Sequence, residues 1–202
     1  MPYASMAAEP PENSIQVASR AEWRDWLAAN HDRPEGIWLI TFKKRPGQPY
    51  VSYDDVVEEA LCFGWIDSRP NRLDNERTML WLAPRKPGTG WSALNKKRIE
   101  AMTAAGLMMP AGLAKIEAAQ QDGSWESLDA IERLEIPPDL AAALAESDVA
   151  RANFDAFPRS AKRGILEWIA SARRAETRDR RIAETVSLAA QNIRANSWPR
   201  RP

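Results

Sequence analysis

The sequence contains very little histidine and cysteine, two residue types that often act as nucleophiles, bases or metal ligands in enzymes. Its 202 residues include one histidine, His31, and one cysteine, Cys62. A single histidine, at a predicted helix end, excludes histidine-based triads and multi-histidine metal sites. A single cysteine excludes an internal disulfide and a cysteine-rich metal site, and it fits a reducing compartment. The chain also has no Walker-type loop, no GxGxxG motif and no GxSxG motif.

Net charge and long apolar runs are also missing. Lys and Arg together number 28, and so do Asp and Glu. Because no net field attracts nucleic acid or an anionic membrane, we expect neither as a partner. No apolar run is long enough to span a bilayer, and the N-terminus lacks the charged-then-apolar pattern of a signal peptide. We therefore expect a cytoplasmic protein without membrane insertion.

The pattern of apolar residues predicts an α+β fold. Capping residues at Ser19 and Ser52 begin two helices, and residues 36–44 have strand composition. A hairpin is predicted from residues 65–73 and 77–83, whereas only helices are predicted from Pro110 onward. The N-terminal part should therefore be an antiparallel sheet with helices, and the C-terminal part should be all helical.

The domain boundaries follow from the same pattern. Residues 1–18 contain Pro2, Pro10 and Pro11 and few apolar residues, which predicts a disordered arm. An α+β domain is expected over residues 19–106, because the mixed pattern ends there, and a helical portion over residues 107–194. Residues 195–202 are expected to be a frayed tail.

A cationic stretch with interleaved tryptophans is the first candidate site. Between positions 69 and 98 the only acidic residues are Asp74 and Glu76, and Trp81 and Trp91 lie among the cations. Such a stretch can bind an anion or stack a planar group, and the alternative is a solvated basic surface. The cations of the stretch are Arg69, Arg72, Arg77, Arg85, Lys86, Lys96, Lys97 and Arg98.

Asp67 and Asn95 are the polar candidates next to this stretch. If residues 74–76 form the turn of the hairpin, Asp67 pairs near Ala83 and faces the Arg85/Lys86 end, with Trp91 closing one side. Asp67 could instead form a partly buried ion pair with Arg69, its neighbour on the strand face. Asn95 interrupts an apolar helix stripe, so it should either clamp the preceding loop or bind a ligand. The candidate ligand-binding residues are Asp67, Arg69, Arg85, Lys86, Trp91 and Asn95.

Four carboxylates on the predicted helix after Ser52 form an acidic ridge. Asp54 lies one turn before Glu58, and Asp55 one turn before Glu59. Carboxylate oxygens suit hard or borderline cations, so the ridge is an alternative metal site. The other interpretation is a solvated helix face.

Three sequence blocks carry a resemblance to a known family. They are EALCFGWIDS, LAPRKPGTGWSALNKKRIEAMTAAGLMMPAGLAKIEAA and WIASARRAETRDRRIAE. From about Ser19 to Leu188 the chain resembles the YdeI/OmpD-associated family, except that Ala83 stands where that family usually has Thr. The resemblance implies a cytoplasmic bacterial protein linked to bacteriocin protection and to tolerance of antimicrobial or envelope stress. The N-terminal part is also similar in layout to YdhG-like domains, some of which are discussed as frataxin-like iron carriers.

These observations favour a non-enzymatic protein that binds an anionic small molecule or an acidic partner at the cationic stretch. No catalytic residue and no cofactor is predicted. One alternative is frataxin-like iron binding at the acidic ridge. Another is an enzyme in which Asp67 acts as acid or base beside Arg69. A Schiff-base lysine has no sequence signature and stays open.

Overall fold

The computed structural model describes residues 9–196, and the fold is α+β, as predicted. The chain forms two compact units that meet in sequence between Trp125 and Glu126. The first unit contains β1 (Ser14–Gln16), α1 (Arg20–Asn30), β2 (Ile37–Phe42), α2 (Tyr53–Cys62), β3 (Trp65–Arg72), β4 (Arg77–Pro84), α3 (Ala93–Ala104) and α4 (Pro110–Gln121). The second contains α5 (Asp129–Glu132), α6 (Pro138–Ala145), α7 (Asp148–Ala156), α8 (Arg159–Ala170) and α9 (Ala175–Ala190).

The sheet of the first unit has the strand order β1-β2-β4-β3 and is mixed. Strands β2, β4 and β3 are antiparallel, as predicted, but β1 is parallel to β2. The chain passes through α1 between these two strands, and a helical crossover returns it in the same direction. Strand β1 was missed because it has only three residues, after two prolines, and lies in the segment expected to be disordered. Ile15 of β1 packs on the core, and Asn13 donates a hydrogen bond to the Gly36 carbonyl.

The predicted hairpin of β3 and β4 is present, and its register next to the turn is the predicted one, with Pro70 opposite Leu80 and Arg72 opposite Thr78. At the other end of the hairpin the register differs from the prediction by one residue. Asp67 lies opposite Leu82, and Ile66 lies opposite Ala83. The register shifts between Asp67 and Pro70. A bulge of this kind re-aims the side chains beside it, so the strand alternation that paired Asp67 with Arg69 does not apply.

Helices α1 and α2 cover one face of the sheet. The predicted caps are present: the Ser19 hydroxyl accepts from the Glu22 amide, and Ser52 and Asp55 form a reciprocal capping box. Trp23 is fully buried between the helices, and its indole nitrogen donates to the Val56 carbonyl at 3.0 Å. The remaining core of this layer includes Leu27, Leu39, Ala60, Trp65 and Leu82.

Helix α4 belongs to the first unit, so the boundary predicted after residue 106 lies inside that unit. The Met109 amide donates to the Cys62 carbonyl at 3.1 Å. A Cβ atom at Gly112 would lie 2.2 Å from the same carbonyl oxygen, so only glycine allows this close approach of α4 to α2. The apolar pattern becomes purely helical after β4, the last strand of the described residues. The helices α3 and α4 follow β4 but still belong to the first unit.

The second unit is all helical, as predicted. Its core contains Leu140, Leu144, Phe154, Ile165, Ile169 and Ile182. Ala195, the first residue of the predicted frayed tail, packs in this core, and residues 197–202 lie outside the described part of the chain. Within residues 9–196 no helix is long and apolar enough to cross a membrane.

Candidate functional site

Arg85 begins the loop that follows β4, and it is buried with only 5% exposure. Its guanidinium lies 3.6 Å from the ring centroid of Trp91 and donates to the carbonyls of Thr89 and Gly90. Its Nε has no hydrogen-bond partner among the described residues. Burial lowers the pKa of the Arg85 guanidinium to about 10, and no carboxylate offsets this effect. The group is therefore a desolvated cation that the described part of the chain leaves without a counter-ion.

A small cavity of about 50 Å³ lies beside Arg85, between the basic loop and α4. Lys86 and Lys115 add two further cations to its lining, and Asp122 is the single carboxylate there. Asp122 is already engaged, because it accepts hydrogen bonds from the amides of Ser124 and Gly88. These bonds, those from Ser124 first, lower the pKa of Asp122. The cavity has room for a small polar group and an excess of positive charge around it.

The structure brings together three of the six predicted site residues, Arg85, Lys86 and Trp91. Asp67 lies elsewhere: its Oδ2 accepts a hydrogen bond of 2.6 Å from the Tyr53 hydroxyl, and the predicted position facing Arg85 is not found. The reason is the bulge after Asp67, which shifts the register at this end of the hairpin by one residue. Next to this end of the hairpin, the Arg85 amide donates to the Gly64 carbonyl at 2.9 Å and extends the pairing of the two strands by one step.

Arg69 and Asn95 also lie outside the cavity lining. The exposed guanidinium of Arg69 lies 5.9 Å from the ring centroid of Trp38 and 6.0 Å from that of Trp81, and both tryptophans are on the sheet. Asn95 neither clamps the basic loop nor lines the cavity; its Oδ1 accepts a hydrogen bond of 2.9 Å from Arg98, one turn later on α3. Its polar position in the apolar stripe serves to hold that arginine.

The acidic ridge faces arginines instead of forming a metal site. Arg20 of α1 contacts Asp55 at 2.6 Å, Glu58 at 2.9 Å and Glu59 at 2.6 Å. A second arginine of α1, Arg24, contacts Glu59 at 2.5 Å. The remaining ridge residue, Asp54, pairs with Arg98. The described residues contain no group of three or more acidic, histidine or cysteine side chains that could hold a metal ion. The structure therefore gives no support to the alternative metal site at the ridge.

Sequence reasoning missed residues of two kinds. Arg20 and Arg24 are four apart, which places them on one face of α1, and this spacing was a usable signal. Lys115 of α4 and Asp122, which caps the end of that helix, line the Arg85 cavity although they lie far from the basic loop in sequence. Nothing in the local pattern at those two positions links them to the basic loop.

Two family models match the chain. Residues 15–115 match the family described as Domain of unknown function (DUF8412), and residues 133–192 match the family described as Bacteriocin-protection, YdeI or OmpD-Associated. The first match covers half of the chain, so the chain belongs to the family of that domain of unknown function, and residues 133–192 carry a YdeI/OmpD-associated domain. Neither a curated protein nor a solved structure matches the chain.

The two matches divide the resemblance that the sequence blocks suggested. The YdeI/OmpD-associated match contains the third block and lies in the second unit, whereas the first block and most of the second lie in the domain of unknown function. Arg85, Lys86, Trp91 and Lys115 all belong to that domain. The YdhG-like layout stays a prediction.

Proposed function

We propose that this YdeI/OmpD-associated protein is a non-enzymatic binding protein that recognises an anionic group at the Arg85 cavity. The supporting observation is the guanidinium of Arg85, buried on Trp91 with an unbonded Nε and with Lys86 and Lys115 beside it. The anionic group belongs to a small molecule or to an acidic partner.

The energetics of Arg85 favour an anion at this place. A buried charge without a counter-ion destabilises the protein. Removing one partner of a buried ion pair leaves such a charge and typically lowers the free energy of unfolding by about 3–5 kcal/mol. A carboxylate or phosphate would accept from Nε and supply the missing charge in a charge-assisted hydrogen bond. A cavity of about 50 Å³ admits such a group but not a whole nucleotide, so the rest of the ligand would lie outside it.

The biological role that we propose follows the description of the family. Anion binding by this protein would act in the bacterial cytoplasm, in tolerance to bacteriocins or to other antimicrobial or envelope stress. The YdeI/OmpD-associated match lies in the second unit, whereas the Arg85 cavity lies in the first unit.

Thermal unfolding with added anions tests the binding. Inorganic phosphate, citrate and polyphosphate are compared with chloride at equal ionic strength. Ligand at about 100 times its dissociation constant should stabilise the protein by about 2.7 kcal/mol. Arg85→Met should abolish the stabilisation, and Lys86→Ala should weaken it.

Arg69→Met is the matched control, because it removes the same charge from an exposed position outside the cavity. It should leave anion binding unchanged. Stabilisation by no anion, or equal losses in Arg85→Met and Arg69→Met, would contradict the proposal. In cells, the Arg85→Met strain should lose bacteriocin tolerance while the Arg69→Met strain keeps it.

A further inference from the structure

A second and larger cavity of the first unit lies between the sheet and the start of α2. Its volume is about 290 Å³. Leu39, Val51, Val56 and Leu80 contribute to its apolar wall, and the first three of these are buried members of the hydrophobic core. The cavity therefore reaches from the surface to the core of the unit.

The mouth of this cavity is aromatic and cationic. Tyr50 and Tyr53 line it and are unusually exposed for aromatic residues, at 46% and 52%. The Lys44 ammonium lies 5.9 Å from the ring centroid of Tyr50, and the Lys43 ammonium donates to the Asp74 backbone carbonyl at 2.8 Å.

Acidic residues are absent from the described lining of the cavity, although the chain has as many acidic as basic residues. The lining includes Lys43 and Lys44, and neither ammonium forms an ion pair with a carboxylate of the described residues. Tyr53 of the lining donates its hydroxyl hydrogen to Asp67, whose carboxylate lies outside the lining. An apolar interior below unpaired cations is complementary to a molecule with an apolar body and a negative head.

We infer that this cavity binds the tail of a medium-chain amphiphilic anion, such as an aliphatic carboxylate, with the head group at Lys44. An apolar cavity of about 150 Å³ is enough for benzene, so one of about 290 Å³ accommodates a tail of roughly six to ten carbons. Each methylene that leaves water should raise the affinity about fourfold. The two cavities share no lining residue, so the inference does not depend on the function proposed for Arg85.

Calorimetry on the full chain with three eight-carbon ligands tests the head group. Octanoate, 1-octanol and octylammonium have the same tail and differ in charge. Octanoate should bind most tightly and octylammonium most weakly. Hexanoate should bind roughly 15-fold more weakly than octanoate, because two methylenes fewer are buried. Equal or tighter binding of octylammonium, or no binding of any of the three, would overturn the inference.

Methyl NMR locates the ligand. Octanoate should shift the methyl signals of Leu39, Val51, Val56 and Leu80, whereas those of Leu140 in the second unit should stay in place. Octanoate that shifts none of the first four, or whose binding is lost in Arg85→Met, binds at another site and overturns the inference.

Lys44→Gln separates the contribution of the head group from that of the tail. Lys44 is exposed, so its replacement leaves the fold intact. The affinity for octanoate should fall roughly twofold to fivefold, as expected for a partly solvated ion pair, while the affinity for 1-octanol should not change. Lys97→Gln, an exposed lysine of α3 outside the cavity, should change neither affinity. Equal effects of the two variants would contradict a head group at Lys44.

Discussion

Glu59 and Arg85 are each almost fully buried in the first unit, at 2% and 5% exposure, but their surroundings differ. Glu59 accepts from two arginines of α1, Arg20 at 2.6 Å and Arg24 at 2.5 Å. Arg85 faces an indole ring and two backbone carbonyls, with no carboxylate among the described residues. One buried charge is compensated within the fold and the other is not.

The pKa shifts of the arginines express the same difference. Although burial acts against it, hydrogen bonding to Glu59 and Asp55 raises the pKa of Arg20 above its ordinary value. Burial alone lowers the pKa of Arg85 to about 10. A compensated charge ties α1 to α2 and is expected to stabilise the fold, whereas an uncompensated charge stays available for a ligand.

Glu59→Gln should have the largest effect on stability. It leaves Arg20 and Arg24 with a neutral acceptor in a buried position, and we expect a loss of about 2–3 kcal/mol in the free energy of unfolding. This is below the loss for a fully buried pair, because both arginines are partly exposed and Arg20 keeps two other carboxylates. Urea denaturation measures the difference.

Glu58→Gln is the matched control for that change. Glu58 is more exposed than Glu59 and forms one contact with Arg20, so its replacement should reduce stability by less than about 1 kcal/mol. Equal losses of stability in the two variants would show that the ridge acts as a diffuse surface charge. Glu59 would then not be a specifically compensated buried charge, and its contrast with Arg85 would not hold.

Arg85→Met should have a smaller effect than Glu59→Gln, in the absence of anions. The variant loses the contact with Trp91 and two hydrogen bonds, but it also removes a desolvated charge. Because these contributions oppose each other, we expect a net change within about 1 kcal/mol of the original protein. A loss as large as that of Glu59→Gln would mean that Arg85 is a structural residue with its binding capacity already satisfied.

The sequence predicted the local parts of this structure well. The caps at Ser19 and Ser52 and the β3–β4 hairpin depend on residues within a few positions of each other, and all are present. The grouping of Arg85 with Trp91 is local for the same reason.

Features that depend on distant packing were not predictable in this way. The parallel pairing of β1 depends on a crossover through α1, and the unit boundary depends on Gly112 allowing α4 to approach α2. Asp67 was assigned to the wrong neighbours because a bulge after it shifts the register by one residue, and such a shift changes which face a strand residue occupies. The cavity at Lys44 is formed by segments of sheet, loop and helix that share no sequence motif.

The smallest of the expected effects concerns the Tyr53–Asp67 pair, an exposed contact between a phenol and a carboxylate. Partial burial, as the larger cause, and the hydrogen bond to Asp67, as the second, raise the pKa of Tyr53 to about 12. A phenol in the unfolded chain ionises near pH 10, so the folded state holds its proton more tightly. The contribution of this pair to stability is therefore complete below about pH 10 and is lost as the pH rises towards 12.

Absorbance at 295 nm, compared between the original protein and Tyr53→Phe, isolates the ionisation of this phenol. At about pH 10.5 a phenol with an ordinary pKa is mostly ionised, whereas Tyr53 should be almost entirely protonated. Asp67→Asn should make Tyr53 ionise at lower pH, because the negative charge is removed while the partial burial remains, and it should change stability at pH 7 by less than about 1 kcal/mol. Circular dichroism on the same samples confirms that the chain is folded. Ionisation of Tyr53 with an ordinary pKa in the folded protein would show that Asp67 does not hold the phenol.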